Sequence, residues 1–170
     1  MDQSTRRVSF EVVGMYWIFQ SNPDRFYIIE WLKKYCNDPY QPDHWGVNRY
    51  VNKIKNGDTI FIWKAKGSEN WRGIIAVAEV VDPPDENKAS KILEEERDYW
   101  INKKDWGERR KLSSVWVRYR RIFPDNPLED RELKAIEGLK DLHILRCPRG
   151  TVFKVEDQEG KTSENLIVSR

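Results

Sequence analysis

Histidine and cysteine are scarce in this 170-residue sequence, and both shortages narrow what it can do. His44 and His143 are the only histidines. Neither lies in an HExxH, near a GxSxG, or beside a cysteine at ligand spacing, so no zinc site and no nucleophile–base–orienter set can be assembled. The two cysteines, Cys36 and Cys147, are far apart and outside any CxxC spacing. That excludes a disulfide framework and leaves reduced, partly buried thiols as the expectation. The nine glycines never adopt phosphate-loop spacing, as "GDTIF" and "GSENWRG" show. No apolar run approaches the roughly 20 residues of a membrane helix, and "MDQSTRRVSF" lacks the apolar segment of a secretory signal. The expectation is a cytosolic, non-catalytic protein with no metal, no cofactor and no membrane partner.

Charge and tryptophan are what the chain has in abundance. Charged residues make up 34% of it, above the usual quarter. Thirty basic residues are nearly cancelled by 28 acidic ones, so the net charge of +2 does not by itself point to nucleic acid. Acid is concentrated between residues 82 and 98, in "DPPDE" and "LEEERD", whereas "VWVRYRR" and "LRCPRG" carry base. Eight tryptophans at a mean hydropathy of −0.80 exceed what the core of a 20.4 kDa protein needs. That size suits a single domain over residues 1–170, able to bury roughly two-thirds of its unfolded surface.

Residues 10–20, "FEVVGMYWIFQ", are β-branched and aromatic and predict a buried strand ending at the turn "SNPD". Phe26, Ile29, Leu32 and Tyr35/Cys36 recur at helical spacing and predict a helix. "NDPYQPDHWG" is a loop that delivers Trp45. Val47, Tyr50, Val51 and Ile54 then predict a short amphipathic helix capped by Gly57. "TIFIW" and "GIIAVAEVV" read as a hairpin of buried strands. From Pro83 to Lys111 the composition turns to charge, with a helix around "ASKILEEERDYW", then "INKKDWGERRK", as a lid or solvated excursion. "SVWVRYRRIF" resumes the sheet, "DRELKAIEGL" is a short helix and "TVFKV" a last strand. This order predicts an α+β fold, a curved mixed sheet or small barrel with helices packed outside. A doubly wound sheet is disfavoured, because strands 59–63 and 73–81 are joined too closely for a crossover.

Flat aromatic surfaces close to hydrogen-bonding side chains are the candidate functional feature. Gln20, Ser21 and Asn22 end the first strand and offer donors and acceptors to a planar edge. Trp45, at the mouth of the next expected helix, has Asn48 one turn on, and Trp63 ends a strand before Lys64 and Lys66. Strand ends and the loops after them are where sites on a rigid scaffold tend to be placed. The plainer alternatives stay open on pattern alone. Trp17 and Trp116, in alternating strands, suit the core, Trp31 suits helix packing, and "SNPD" suits a turn and N-cap.

The stretches "YWIFQSNPDRF", "WGVNRYVNKIKNGDTIFIW", "GIIAVAEVVDPP" and "LRCPRGTVFKV" together resemble the EVE domain of the PUA-like superfamily, over about residues 14–155. The shared features are a YW-start strand leading to a Ser-x-Pro-type turn, a W-x-x-N/R helix, a K-x-GD turn into an apolar strand, and a G-I-x-A-x-A/G-E-V strand ending near proline. The order is similar to that of the YTH family of N6-methyladenine readers, with "QSN", "WGVNR" and "YWINKKDWGERRKLSSVWVRYRRIF" in corresponding places. Two departures stand out: Gln20 replaces a YTH-type lysine, and the segment before "VWVRYRR" is longer than in compact EVE domains.

The resemblance implies a small PUA-like β-barrel with an aromatic cage for a modified base. Trp45, with Trp63, Trp100 or Trp106, would supply its walls, and Gln20, Ser21, Asn22 and Asn48 would read the base edge. Flipping a base out costs a few kcal/mol, and stacking on aromatic walls returns roughly 1–3 kcal/mol per base. Affinity would rest on phosphate contacts from Lys64, Lys66, Arg72, Arg118, Arg120, Arg121, Arg146 and Arg149. Strand alternation in "VRYRR" separates Arg118 and Arg120 from Arg121. The implied partner is DNA carrying N6-methyladenine, 5-methylcytosine or 5-hydroxymethylcytosine, with RNA as the alternative. Such modules stand at the front of McrBC-type modification-dependent restriction proteins, and "SENLIVSR" reads as a module boundary, so a motor or nuclease component is expected outside this chain. A competing class, a nucleotide-directed enzyme, would have to use Asp58, Glu79 or Asp82.

Overall fold

The computed structural model of the chain describes residues 14–85 and 91–170. The elements run β1 (Tyr16–Ser21), α1 (Ile28–Lys33), β2 (Asp43–Val47), β3 (Thr59–Lys64), β4 (Gly73–Asp85), α2 (Lys91–Glu96), a 3-10 turn (Arg97–Tyr99) and α3 (Lys103–Arg109). They continue with β5 (Ser113–Ile122), β6 (Leu128–Glu129), α4 (Asp130–Lys134), α5 (His143–Arg146), β7 (Val152–Val155) and α6 (Asp157–Ile167). The strands form one curled, half-barrel sheet in the order β2-β5-β4-β3-β1-β7, with β6 paired to β4. Among the described residues, only β1 and β3 pair in parallel; the other neighbours are antiparallel.

Period-two alternation divides the apolar residues between two faces. Trp17 and Phe19 of β1 share one core with Ile60 and Ile62 of β3, Val115 and Val117 of β5, and Trp31 and Leu32 of α1. Tyr16 and Ile18 share the other with Phe61 and Trp63, and with Leu133, Ile144 and Ile167 from the helical layer. β3 is therefore buried along all six residues, as expected of a central strand covered on both faces. Asp58 fixes the approach to it: its carboxylate accepts from the backbone N–H of Met15 (3.0 Å) and Lys55 (2.9 Å) and from Trp17 Nε1 (2.8 Å).

The structure corrects several sequence expectations. Residues 43–47 are an edge strand paired with β5, and turns follow, so no helix forms over 47–54. Gly57 takes φ +85° at a turn rather than at a helix end. Val47 and Ile54 are both buried, but from a strand and from the stretch just after a turn; over so few residues apolar recurrence does not separate helix from other arrangements. Residues 10–13 of the first expected strand, and 89–90 of the charged helix, lie outside the described residues. Cys36 and Cys147 are exposed, each just beyond the end of a short helix. Two helices had no counterpart in the sequence reading, α5 and α6. α6 opens with a capping box in which the Glu156 and Glu159 side chains serve each other's backbone. Among the described residues, no helix is long and apolar enough to cross a membrane, and no group of His, Cys, Asp and Glu could hold a metal.

Candidate functional site

Where β1 and β3 end and β4 and β7 begin, the open rim of the half-barrel surrounds a cavity of about 830 Å³. Six stretches of chain line it: the end of β1 and the turn after it, Trp31 of α1, β2, the loop between β3 and β4, the segment from α2 to just past α3, and residues 148–151 before β7.

The aromatic walls are held by their polar ends. Trp45 is half-buried, its ring 6.0 Å from that of Phe19, and its Nε1 donates to Tyr119 Oη at 2.9 Å. Tyr119 Oη in turn donates to Asp43 Oδ2, which also accepts from Trp31 Nε1 at 2.9 Å. Asp43 is fully buried, and burial pushes its carboxyl above the ordinary range, against the opposing pull of the Tyr119 and Trp31 hydrogen bonds. Trp100 sits beside Phe26, with ring centroids 4.9 Å apart, and donates from Nε1 to Glu96 Oε2 at 3.1 Å. Both tryptophans present apolar faces to the cavity with their indole N–H groups satisfied behind them.

A buried polar triad completes the wall. Arg109 Nε lies 3.3 Å from Glu96 Oε2, and Arg109 Nη2 is 2.7 Å from His44 Nδ1. Burial raises the Glu96 carboxyl to about 7, with the Arg109 charge opposing. Burial, then the Arg109 charge, lowers the His44 imidazole to about 3, so it is neutral at physiological pH. Gly46 makes room for this arrangement, because a Cβ there would come within 2.6 Å of Arg109 Nη1.

Gln20, Ser21 and Asn22 all line the cavity. Gln20 Nε2 donates to the carbonyls of Pro148 (2.9 Å) and Gly150 (2.7 Å), tying the 148–150 loop to β1. Asn22 Oδ1 accepts from the Asp24 backbone N–H, a local turn bond. Trp45, Trp100, Lys66, Arg72 and Arg149 also lie along the cavity, Arg72 paired with Asp130 at 2.9 Å. Asn48 stands one step back, accepting from the hydroxyl of the lining residue Thr151 at 3.0 Å.

The structure separates the other sequence candidates from the cavity. Trp63 is 0% exposed in the opposite core, because it alternates with Phe61 rather than with Ile62. Trp106 is buried in α3 and does not reach the lining. Lys64 is 0% exposed; its ammonium donates to the carbonyls of Trp71 (3.0 Å) and Ala65 (3.2 Å) and lies 3.8 Å from the Trp71 ring centroid. Burial lowers its pKa, with Glu69 opposing, so this lysine supports the loop rather than a phosphate. Arg118 and Arg146 are exposed away from the lining, Arg120 pairs with Glu79 at 2.9 Å, and Arg121 donates to the carbonyls of Val168 and Arg170. Asp58, Glu79 and Asp82 are likewise outside the lining.

Arg25, His44, Glu96 and Arg109 line the cavity without having been picked out from the sequence. His44 carried one usable signal, its place next to Trp45. Glu96 and Arg109 carried none, because burial of a charge inside an acidic and basic run does not show in the run itself.

The profile of the EVE domain family matches residues 15–166. In structure the chain is similar to a hypothetical protein from Leishmania major, with a TM-score of 0.62 at 20% identity over 92% of this chain and 96% of that one. It is similar to the human THYN1 protein, solved in complex with 5-methylcytosine-containing DNA, with a TM-score of 0.61 at 20% identity over 90% and 97%. A Pseudomonas syringae protein gives a TM-score of 0.59 at 21% identity over 89% and 98%. No curated protein matches the sequence. With nearly its whole length covered by the family profile and its fold shared with these structures, the chain belongs to the EVE domain family.

Proposed function

We propose that the protein is a non-catalytic reader module that binds DNA carrying a modified base, N6-methyladenine or a 5-methyl- or 5-hydroxymethylcytosine, by taking the flipped base into this cavity. The observation that carries the reading is that two tryptophans with satisfied indole N–H groups, Trp45 and Trp100, line one cavity together with hydrogen-bonding side chains and a cationic rim. Aromatic faces return roughly 1–3 kcal/mol of stacking per base, comparable with the few kcal/mol of extrusion. Lys66, Arg149 and Arg25 are exposed at the rim and serve the phosphates. The DNA-bound human relative supports DNA over RNA as the partner.

In the cell the module would direct a modification-dependent restriction system in the cytosol, joined to or assembled with a motor or nuclease component. One methyl group discriminates by only about 10- to 200-fold in an apolar pocket, so such a system gains from several copies acting together.

The test is titration of one fluorescent duplex carrying in turn cytosine, 5-methylcytosine, 5-hydroxymethylcytosine, adenine and N6-methyladenine. One modified duplex should bind about tenfold or more tighter than its parent, with Trp45→Ala abolishing the preference. Equal affinities across the series, untouched by Trp45→Ala, would sink the reading. Retained affinity when the backbone is RNA would transfer it to RNA.

A further inference from the structure

Gln20, expected from the sequence to read a base edge, has both of its donors committed within the protein. Its Nε2 donates to the carbonyl oxygens of Pro148 at 2.9 Å and of Gly150 at 2.7 Å. A primary amide carries two N–H groups, so none is left over for a ligand. The reversed amide would set Oε1 against two carbonyl oxygens, so the partners themselves fix which way it points.

The two carbonyls bracket Arg149, and further bonds hold the same turn on either side. The Cys147 N–H donates to the His143 carbonyl at 2.9 Å, the Gln20 N–H to the Thr151 carbonyl at 2.8 Å, and the Thr151 hydroxyl to Asn48 Oδ1 at 3.0 Å. Pro148 has a ring-fixed φ, and Gly150 takes φ +121°, a conformation that favours glycine. Arg149, between them, is exposed and lines the cavity. The other lining arginines face carboxylates: Arg25 faces Asp105, Arg72 faces Asp130 and Arg109 faces Glu96. Among the described residues Arg149 has no carboxylate partner, so a firmly held backbone carries an uncommitted guanidinium at the rim.

We propose that Gln20 is a positioning residue: it holds the 148–151 turn so that Arg149 stands aligned for a backbone phosphate of the DNA, and it does not read the base. This rests on the DNA-binding reading above and assigns the roles of two of its residues. A backbone that is already fixed gives up less conformational entropy when the phosphate arrives. A two-pronged guanidinium–phosphate contact depends on alignment as well as on charge. Because phosphates carry no base identity, a residue acting in this way strengthens binding to modified and unmodified duplexes alike.

Gln20→Met keeps the length of the side chain and removes both donors. The unaltered protein, Gln20→Met, Arg149→Ala and the double variant are titrated with fluorescent duplexes carrying 5-methylcytosine or N6-methyladenine and with their unmodified parents. Salt runs from about 50 to 200 mM, and folding is checked by circular dichroism. Gln20→Met should weaken binding of every duplex about fivefold and leave the ratio of modified to parent affinity unchanged. It should also lower the slope of log affinity against log salt toward that of Arg149→Ala, about one unit below the unaltered protein. The double variant should bind no worse than Arg149→Ala alone. A changed ratio in Gln20→Met would make Gln20 a base reader, and losses that add fully in the double variant would separate it from Arg149. Either result overturns the inference and leaves the reader function standing, as does unchanged affinity in Gln20→Met. An Arg149→Ala protein that keeps the full salt slope overturns it too, since no phosphate then meets Arg149. Equal binding of modified and parent duplexes by the unaltered protein overturns the reader function alone, because the salt slopes and the double variant still decide the role of Gln20.

Discussion

Glu96 and His44, on either side of the buried Arg109 guanidinium, are shifted in opposite senses. Burial lifts the Glu96 carboxyl from an ordinary 4.5 to about 7. Between those values the folded protein holds a proton that the unfolded chain has released, so this group's contribution to stability is lost as pH rises from about 4.5 to 7. His44 is lowered from 6.5 to about 3. Across that window the unfolded chain binds the extra proton, so its contribution to stability grows as pH rises. Glu96→Gln removes the falling component. The difference in melting temperature, variant minus parent, should therefore increase between about pH 4.5 and 7, as read by circular dichroism melts; a difference independent of pH would contradict the assignment. Residues of this kind were the least legible in the sequence. Trp45 reaches the cavity lining from the edge strand β2 rather than from a loop before a helix, and Trp100 lines it from just after the 3-10 turn. Trp63 was misplaced among the cage walls because a strand-end tryptophan can belong to either face, and the parity of β3 became clear only once Ile60 and Ile62 were seen to pack with Trp17 and Phe19.

At the scale of elements, α6 shows why helices can escape a search for large apolar residues. Its buried positions are Gly160, Ser163 and Ile167, spaced like a helix face but mostly small. They let the helix lie against β1, where Tyr16 Oη donates to Glu164 Oε2 at 3.1 Å. A Cβ on Gly160 would stand 2.2 Å from Tyr16 Cγ. Gly160→Ala should thus destabilise the protein by about 1–3 kcal/mol through overpacking, despite the better helix propensity of alanine, as measured by urea unfolding. An unchanged or raised midpoint would show that α6 sits less closely on the sheet. The hairpin of β3 and β4 was plain in the sequence because its pairing is local. β2 was not, since it depends on β5, whose residues lie about 70 positions further along the chain. The charged stretch from residue 83 to 111, expected as a lid or solvated excursion, instead begins as the end of β4 and brings buried Glu96 and Arg109, with Trp100, to the cavity wall.

For the whole molecule, the mixed, curled sheet and its flanking helices were legible from the order of elements, whereas the parallel pairing of β1 with β3 was set by long-range contacts that periodicity does not encode. The cavity inherits that non-local character: its lining runs from Gln20 to Thr151 and draws on both ends of the sheet order. No fragment of the chain contains the site, so a ligand recognises only the finished fold, and binding and global unfolding become one linked equilibrium. A cognate oligonucleotide at 100 times its dissociation constant should add about 2.7 kcal/mol to the unfolding free energy, roughly 5–10 °C in a domain of this size. Thermal denaturation against a panel of modified oligonucleotides would register that shift, and a cognate duplex that binds without raising the melting temperature would mean the ligand sits elsewhere. The same linkage would make heat resistance of the entire domain the reporter of whatever ligand the cavity takes.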